Sequence, residues 1–262
     1  MPEFIDTHAH IHAGFDDVDD VIARAVAAGL VRILTLGVTR ADSAAAIDLA
    51  HRSDVIRAAA GIHPHDAAEA IDDDLDALEA IAASPGVALV GEIGLDFYRN
   101  LSPPDVQVRV FRRQLDTAAR VGKPVAVHAR DAQAQVFEEL SVWSRRMGGA
   151  LPAGRPLGVL HYFSGDADLA EQYIDRGFLI SIHTSITHPR ADQLRDVVRR
   201  IGLGNVVIET DSPYGAPQRY RGKRNEPAYV VEAAAAIAGV LSVSIEAVAS
   251  ATTAAALRLL GE

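Results

Sequence analysis

The sequence contains no cysteine, which excludes several kinds of chemistry. Without thiols there is no disulfide framework, no disulfide-linked partner and no thiolate nucleophile. Any bound metal ion must therefore be held by nitrogen and oxygen ligands. The absence of cysteine also agrees with a reducing compartment, and the N-terminal residues lack the basic and apolar segments of a secretory signal. We therefore expect a cytoplasmic protein.

Long apolar runs and an excess of positive charge are missing as well. Hydrophobic residues make up 49% of the 262 positions, enough for a sizeable core. No apolar run reaches the roughly 18–20 residues that a membrane span needs, so we expect no membrane partner. The net charge of -10 argues against a protein that coats nucleic acid through a broadly basic surface. It does not exclude a local basic patch.

Short apolar runs alternate with alanine-rich segments of helical spacing along the whole chain. The eight predicted strands cover residues 3–10, 31–38, 55–62, 87–95, 124–129, 157–163, 177–183 and 205–211. Helical spacing is clearest in residues 18–28, 42–51, 75–83, 106–121 and 167–176. Strand then helix, repeated eight times, predicts an α/β fold of the (β/α)8 TIM barrel type, with residues 1–262 forming one domain. An open, doubly wound sheet is the alternative.

Histidines and carboxylates recur where the predicted strands end, which is the face of a barrel that carries the active site. His8 and His10 are two residues apart and therefore share one face of the first strand. Taken alone, the pair fits a metal site and two hydrogen-bonded core histidines equally well. Four further groups end other strands: Glu92, His128, His161 and Asp211. Burying so many ionisable groups together without a cation would carry a large desolvation cost, so the set predicts a metal site.

The same strand ends carry six ordered sequence motifs. They are Asp6-Thr-His-Ala-His10, Gly61-Ile-His-Pro-His65, Gly91-Glu-Ile-Gly-Leu-Asp-Phe-Tyr98, Val127-His-Ala-Arg130, His161-Tyr-Phe-Ser-Gly165, and Glu209-Thr-Asp-Ser-Pro213 with the following Arg221-Gly-Lys-Arg-Asn-Glu-Pro227. With these motifs the chain resembles the TatD family of metal-dependent deoxyribonucleases, within the amidohydrolase-like metal hydrolases. The resemblance covers essentially the whole chain, and the ordered set is far more specific than a single His-x-His.

The resemblance implies two divalent ions. Ligand chemistry leaves their identity open, because imidazole with carboxylate suits Mn or Zn and the oxygens of a substrate phosphate suit Mg. The implied ligands form two sets that share Glu92: His8, His10, Glu92 and Asp211 for one ion, and Glu92, His128 and His161 for the other. Two ions about 3.5–4 Å apart can clamp the attacking and leaving oxygens of a phosphodiester. Our hypothesis is that a metal-activated water attacks phosphorus with Asp211 as general base, so Asp211 and Glu92 are the predicted catalytic residues. Many relatives in the wider superfamily use a carboxylated lysine where this chain has Glu92.

Four predicted substrate contacts lie near the strand ends: His63, His65, Arg130 and Tyr98. His63 and His65 flank Pro64, where shaping the loop is the other interpretation. Arg130 could bind a phosphate through its planar guanidinium, or it could be ion-paired. Tyr98 could stack on a base of any identity, as could Phe97, although burial is the commoner fate of an aromatic side chain.

A basic cluster follows the eighth strand and consists of Arg219, Arg221, Lys223 and Arg224. It could form a positive rim that positions a phosphate backbone without reading its sequence. The other interpretation is a set of salt bridges to Glu226 and neighbouring acids.

Three residues depart from the family's pattern. His183 follows the seventh strand where small residues are usual, Gly215 replaces a bulkier apolar residue, and Tyr162 stands where cysteine is frequent. The sequence leaves open whether His183 packs or reaches the active-site mouth, and it assigns no role to His188.

The expected function is a 3′-to-5′ exonuclease on single-stranded DNA, with the direction implied by the resemblance alone. An activated hydroxide also attacks carbonyl carbon, so a metal-dependent hydrolase of an amide, a lactone or an aminoacyl ester is the enzymatic alternative. A metal-containing binding scaffold without turnover is the alternative from another class. Because barrels host many chemistries, the fold does not choose among them. The sequence also does not determine the oligomeric state.

Overall fold

Eight parallel strands form the centre of the protein. The structure is a computed structural model that describes residues 1–147 and 149–262. The strands, numbered β1 to β8 in chain order, are Phe4–Ala9, Leu30–Leu36, Ile56–Ala60, Val87–Asp96, Val125–Arg130, Gly158–Leu160, Phe178–His183 and Val206–Glu209. Each strand pairs with the next one in the chain, and every pair is parallel.

The first and last strands meet and nearly close the sheet. Thr7 Oγ1 donates to the carbonyl of Ile208 at 3.0 Å, and the N–H of Asp211 donates to the carbonyl of His8 at 2.8 Å. Beyond the strand ends, the N–H of His10 donates to the carbonyl of Ser212 at 2.7 Å. These bonds confirm the predicted (β/α)8 barrel, because an open doubly wound sheet would keep β1 and β8 apart.

Nine α-helices surround the strands in the described parts of the chain. The helices, α1 to α9, are Val18–Ala27, Arg40–Arg52, Asp72–Ala82, Pro104–Val121, Gln133–Arg146, Ala167–Ile174, Asp192–Ile201, Val230–Leu241 and Ile245–Leu260. Helix α4 shows how the sequence sets such bounds. Pro104 occupies the first turn, where its missing N–H would be unpaired anyway, and Gly122 ends the helix with a left-handed φ of 64°.

The N-terminal end of the barrel is closed by α9. Its side chains Leu259 and Leu260 pack with strand residues such as Ile5, Leu89 and Val207 in one buried cluster. The guanidinium of Arg155 donates to the carbonyls of Leu259 and Leu260 at the end of α9. This end is therefore filled, which leaves the C-terminal strand ends as the open face.

Five strands end earlier than the sequence predicts. β1, β2 and β3 stop one or two residues short, at Ala9, Leu36 and Ala60, and β6 and β8 stop at candidate ligands. Strand β6 ends at Leu160 instead of residue 163, and the left-handed φ of 45° at Tyr162 turns the chain away just after His161. Strand β8 ends at Glu209 instead of residue 211, and Asp211 has a φ of 56°. Left-handed backbone is incompatible with a continuing strand, so the expectation of longer strands was wrong at these two positions.

No single helix among the described residues combines the length and apolarity required to cross a membrane. The segments Pro227–Leu241 and Ile245–Leu260 meet that requirement only when taken together, and they are bent by 116° relative to each other.

Candidate metal centre and its cavity

The six predicted metal ligands converge at the C-terminal mouth of the barrel. A cavity of ≈ 710 Å³ opens there, lined by His10, Glu92, His128, His161 and Asp211 among others. His8 lies beneath the lining and is only 1% exposed. The structure therefore brings together side chains that are far apart in the chain, as the strand-end pattern led us to expect.

Glu92 lies at the centre of this cluster and uses its two oxygens differently. Oε2 lies 3.3 Å from Nε2 of His8 and 3.7 Å from Nε2 of His10. Oε1 lies 3.0 Å from Nδ1 of His128 and 3.8 Å from Nε2 of His161. Each carboxylate oxygen therefore faces its own pair of imidazoles, which is the arrangement that a bridging carboxylate requires.

Asp211 completes the cluster from the end of β8. Its Oδ1 lies 3.6 Å from Nε2 of His10 and 3.9 Å from Nε2 of both His8 and His161. Geometry thus places His161 within reach of Asp211 as well as of Glu92. Three combinations could each hold an ion with ligand atoms within 4.8 Å of one another: His8, His10 and Glu92; His8, His161 and Asp211; and His63, Glu92 and His128.

The hydrogen bond of His10 indicates that the donor set suits a cation. Nδ1 of His10 lies 2.9 Å from the carbonyl of Leu36, which can only accept, so Nδ1 carries the proton of the neutral ring. The lone pair is then on Nε2, which faces Nε2 of His8 at 3.3 Å and oxygens of Glu92 and Asp211. Lone pairs that converge in this way repel one another unless a cation lies between them, so these nitrogen and oxygen donors fit a divalent ion.

Two buried carboxylates hold the outer nitrogens of two candidate ligands. Oδ2 of Asp96 lies 3.1 Å from Nε2 of His128, and Oε1 of Glu209 lies 3.0 Å from Nδ1 of His161, off the line of a hydrogen bond. Such carboxylates keep the proton on the outer nitrogen and free the inner one for a metal. The sequence analysis missed both roles. The places of Asp96 and Glu209 at the ends of β4 and β8 put both at the barrel mouth, but spacing along the chain does not show which histidine each one reaches.

The electrostatics of the cluster keep its carboxylates ionised. Burial by itself would raise the pKa of Glu92, but the surrounding imidazoles, including the hydrogen bond with His128, hold this pKa well below its usual range. Burial likewise works against ionisation of Asp211, but the imidazoles of His10, His161 and His8 beside it lower the pKa of Asp211 below its ordinary value. Against the opposing effect of burial, the nearby Glu209 raises the pKa of His161 to about 10. The two anionic carboxylates therefore favour a positive charge at the centre of the cluster.

His63 lies close to the candidate ligands, but the ring nitrogen that faces the cluster carries a proton and so cannot ligate a metal ion. Its Nδ1 accepts the N–H of His65 at 3.1 Å, so the proton of the neutral ring is on Nε2, which lies 3.7 Å from Oε1 of Glu92. Burial lowers the pKa of His63 to about 3, which keeps the ring neutral. His63 therefore presents an N–H donor at the cluster, and this favours contact with substrate over metal ligation.

Two buried glutamines of α4 hold the backbone of the site loops. Oε1 of Gln114 accepts the N–H of Ile62 at 2.7 Å, and its Nε2 donates to the carbonyl of the same residue at 2.9 Å. Gln107 makes the same pair of bonds with the backbone of Asp96, at 2.8 and 3.1 Å. The sequence analysis did not single out either glutamine, because nothing in a helical pattern shows that a polar residue faces a loop of another element.

The predicted substrate residues are distributed in two groups. His63, His65 and Arg130 line the cavity, together with Arg99, which the sequence analysis did not consider. Four others do not belong to the lining formed by the described residues: Tyr98, Arg221, Lys223 and Arg224. Tyr98 is 62% exposed and has the guanidinium of Arg130 4.0 Å from its ring centre. Tyr98 is thus an exposed aromatic outside the cavity, and Phe97 beside it is half-buried.

The basic cluster after β8 is only partly committed to salt bridges. Arg224 pairs with Asp17 at 2.9 Å, and Arg219 pairs with Glu232 at 3.2 Å. Within residues 1–147 and 149–262, neither Arg221 nor Lys223 has a carboxylate oxygen within 4.0 Å. The salt-bridge interpretation therefore describes Arg219 and Arg224, whereas a positive rim stays a prediction for the other two.

The three departures from the family's pattern lie in contact with one another. The ring of Tyr162 stacks on that of His183, and Gly215 lies against the same imidazole. His183 thus packs, with 1% exposure, at the back of the cavity wall. His188 lies farther along this segment, with Nε2 3.1 Å from the carbonyl of Ala216.

Comparisons with known proteins agree with the fold and with a metal-dependent hydrolase. Residues 5–261 match the family described as TatD related DNase. An uncharacterized metal-dependent hydrolase of Bacillus subtilis, YabD, is 37% identical over 256 residues, which are 97% of each chain. The 3′-5′ ssDNA/RNA exonuclease TatD of Citrobacter koseri is 37% identical over 227 residues, covering 85% of this chain and 84% of that one. The crystal structure of the Escherichia coli TatD homologue YjjV superposes with a TM-score of 0.89 at 27% identity, over 99% of this chain and 98% of that chain.

Proposed function

The chain belongs to the TatD related DNase family of metal-dependent hydrolases that act on ester bonds, and on this premise we propose that it is a 3′-to-5′ exonuclease on single-stranded DNA. The proposal includes two divalent ions, His8, His10, Glu92, His128, His161 and Asp211 as their ligands, and residues 1–262 as one catalytic domain. The relative from Citrobacter koseri, named a 3′-5′ ssDNA/RNA exonuclease, supports the substrate class and the direction.

The observation that carries the proposal is the position of Glu92 between two pairs of imidazoles. When bound there, a pair of divalent ions would acidify a water molecule and offset negative charge on the phosphoryl and leaving oxygens. The protein's own groups supply the rest of the chemistry. Asp211 is held ionised at the cavity wall, with its side chain 17% exposed, and accepts the proton of the attacking water.

Neighbouring donors bind the phosphodiester in this proposal. The Nε2–H of His63 and the guanidinium groups of Arg99 and Arg130 all line the cavity. They can donate to phosphoryl oxygens and hold the scissile bond beside Asp211. Because the whole chain has a net charge of -10, these donors add to the attraction that bound cations would exert on an anionic substrate.

The size of the cavity supports a single-stranded end as the substrate. Its volume of ≈ 710 Å³ falls within the range of small-molecule pockets, roughly 300–1,000 Å³. A terminal nucleotide fits such a space, whereas a base-paired end would have to separate before its last phosphodiester could reach the ligand cluster. We therefore expect faster hydrolysis of unpaired than of paired 3′ ends.

The proposal is tested with metal-stripped protein and end-labelled oligonucleotides. Single-stranded DNA, double-stranded DNA and single-stranded RNA are incubated after separate addition of Mg, Mn or Zn, and a 5′ label reports stepwise shortening from the 3′ end. A parallel set of lactone, amide and aminoacyl ester substrates tests attack at carbonyl carbon. Asp211→Asn is the matched inactive control in both sets.

The expected result is metal-dependent release of mononucleotides from the 3′ end of single-stranded DNA. Hydrolysis of a carbonyl substrate without hydrolysis of oligonucleotides would replace the nuclease proposal with the alternative hydrolase. No metal-dependent rate on any substrate would indicate a binding scaffold.

A further inference from the structure

One wall of the cavity is formed by an aromatic ring next to a candidate metal ligand. Tyr162 directly follows His161, lines the cavity and is 38% exposed. Its ring stacks on the imidazole of His183, with ring centres 3.8 Å apart and an angle of 20° between the planes. His183 therefore covers one face of Tyr162, the imidazole of His161 meets the ring edge-on with centres 5.8 Å apart, and the exposed part of the residue lines the cavity.

Hydrogen bonds fix both partners of this stack. Nε2–H of His183 donates to the carbonyl of Thr210 at 2.7 Å, and Nδ1 accepts the N–H of Ser185 at 2.9 Å, so both ring nitrogens are used. The N–H of Tyr162 donates to Oε1 of Glu209 at 2.6 Å. The backbone of Tyr162 and the imidazole behind its ring are thus held in place before any ligand arrives, which reduces the entropy lost on binding.

Gly215 makes room for the imidazole. A Cβ atom at this position would lie 2.5 Å from Cε1 and 2.6 Å from Nε2 of His183, and 3.7 Å from the ring of Tyr162. The φ of 63° is also left-handed, which favours glycine. His183 and Gly215 thus fit together behind Tyr162, and any side chain at position 215 would displace the support of the stack.

We propose that Tyr162, supported by His183, is a stacking platform for the nucleobase of the nucleotide whose phosphate meets the ligand cluster. A base has a π-face whatever its identity, so such a platform accepts all four bases. The other tyrosines near the mouth differ from it. Tyr98 lies outside the cavity lining under Arg130. Tyr214 lines the cavity and is 65% exposed, but its one aromatic neighbour among the described residues, His10, meets it edge-on and does not support its ring from behind. The inference rests on the proposed nuclease function, because it assigns the base subsite of the same site.

The test compares the binding of dAMP with that of 2-deoxyribose 5-phosphate, which lacks the base. Both are titrated calorimetrically into the Mg-loaded protein. Base stacking on an aromatic side chain contributes enough that wild-type protein should prefer dAMP by about tenfold or more. Tyr162→Phe keeps the ring and should keep this preference, whereas Tyr162→Ala should reduce it to less than about twofold. The affinity for the base-free ligand should be the same in all three proteins, because its phosphate contacts are unchanged.

Gly215→Ala provides a second variant that leaves Tyr162 itself intact. It should weaken the dAMP preference by displacing His183, with circular dichroism verifying that the fold is retained. The proposal is overturned if wild-type protein shows no preference for dAMP, or if Tyr162→Ala preserves it. Hydrolysis of oligonucleotides is assayed separately. If the dAMP preference depends on Tyr162 but no oligonucleotide is hydrolysed, the stacking platform is supported and the nuclease function is refuted. If oligonucleotides are hydrolysed without a dAMP preference, the nuclease function is supported and the platform is refuted.

Discussion

The carboxylate of Asp96 lies 3.1 Å from Nε2 of His128, while Nδ1 of the same ring lies 3.0 Å from Glu92. One imidazole thus spans an outer and an inner carboxylate. The same Oδ2 atom of Asp96 also lies 2.8 Å from Nε2 of His65. Asp96 therefore orients a candidate ligand and a candidate substrate contact at once, and Gln107 fixes its backbone from α4.

Replacing Asp96 with asparagine tests this orientation. The Asp96→Asn variant should bind divalent metal about 10–100-fold more weakly, because His128 loses the partner that fixes its proton on Nε2. Metal affinity is measured by calorimetry, and high metal concentration should restore part of the activity. Asp66→Asn removes an equal charge from the same cavity lining and serves as the control. Equal metal affinity in wild type and Asp96→Asn would contradict the assigned role.

The central carboxylates should be indispensable for turnover. Asp211→Asn removes the proposed proton acceptor and should lower kcat by about 10²–10⁴-fold. Glu92→Gln removes the charge shared by both imidazole pairs and should lower both the metal content and the rate. Circular dichroism should show an intact barrel in both variants. Wild-type activity in either variant would refute the assignment of that residue.

His63 should act on substrate and not on metal. Because its Nε2 carries the proton, His63→Ala should leave the number of bound ions unchanged while it raises KM or lowers kcat for oligonucleotides. Metal content is determined by elemental analysis and the rate by oligonucleotide shortening. Loss of one ion per chain would instead identify His63 as a ligand, as its distance to Glu92 and His128 alone would allow.

His183 should make stability depend on pH. Burial lowers its pKa from 6.5 to about 4, opposed by the charges of Asp211 and Glu209 and assisted by His161. Between pH 6.5 and 4 the imidazole of His183 binds a proton in the unfolded chain but not in the folded protein. The contribution of His183 to the free energy of unfolding is therefore complete above pH 6.5 and is lost as the pH falls toward 4. The loss is roughly 3 kcal/mol at most. As the pH falls through this range, the free energy of unfolding measured in urea should therefore decrease more steeply for wild type than for His183→Gln. Equal pH dependence of the two free energies would contradict the prediction.

Gln114 should contribute more to stability than an exposed glutamine does. Gln114→Leu leaves the N–H and carbonyl of Ile62 unpaired in a buried position and should lower the free energy of unfolding by about 2–4 kcal/mol. Gln172→Leu, on the exposed surface of α6, should change it by less than about 0.5 kcal/mol. Urea titrations compare both variants with wild type, and equal effects would show that the amide of Gln114 does not support the loop.

The sequence by itself determined the barrel and the residues at its mouth. Strand periodicity and the alternation with helices depend on neighbours within a few residues, so they are legible in the chain, and parallel strands necessarily bring their C-terminal ends to one face. For this reason His8, Glu92 and Asp211 could be placed together before any coordinates. The structure shortens several of the predicted strands, and at β6 and β8 the reason is the left-handed backbone of Tyr162 and Asp211, which residue type does not encode.

The tertiary structure alone decided which side chains support the site. Asp96 and Glu209 orient histidines, Gln114 binds the backbone of a loop, and His183 lies behind Tyr162 where Gly215 leaves space. Each of these contacts joins elements whose separation along the chain carries no information about their distance in space. They depend on how helices pack on the barrel and on hydrogen-bond geometry at close range, and both arise only once the whole chain has folded.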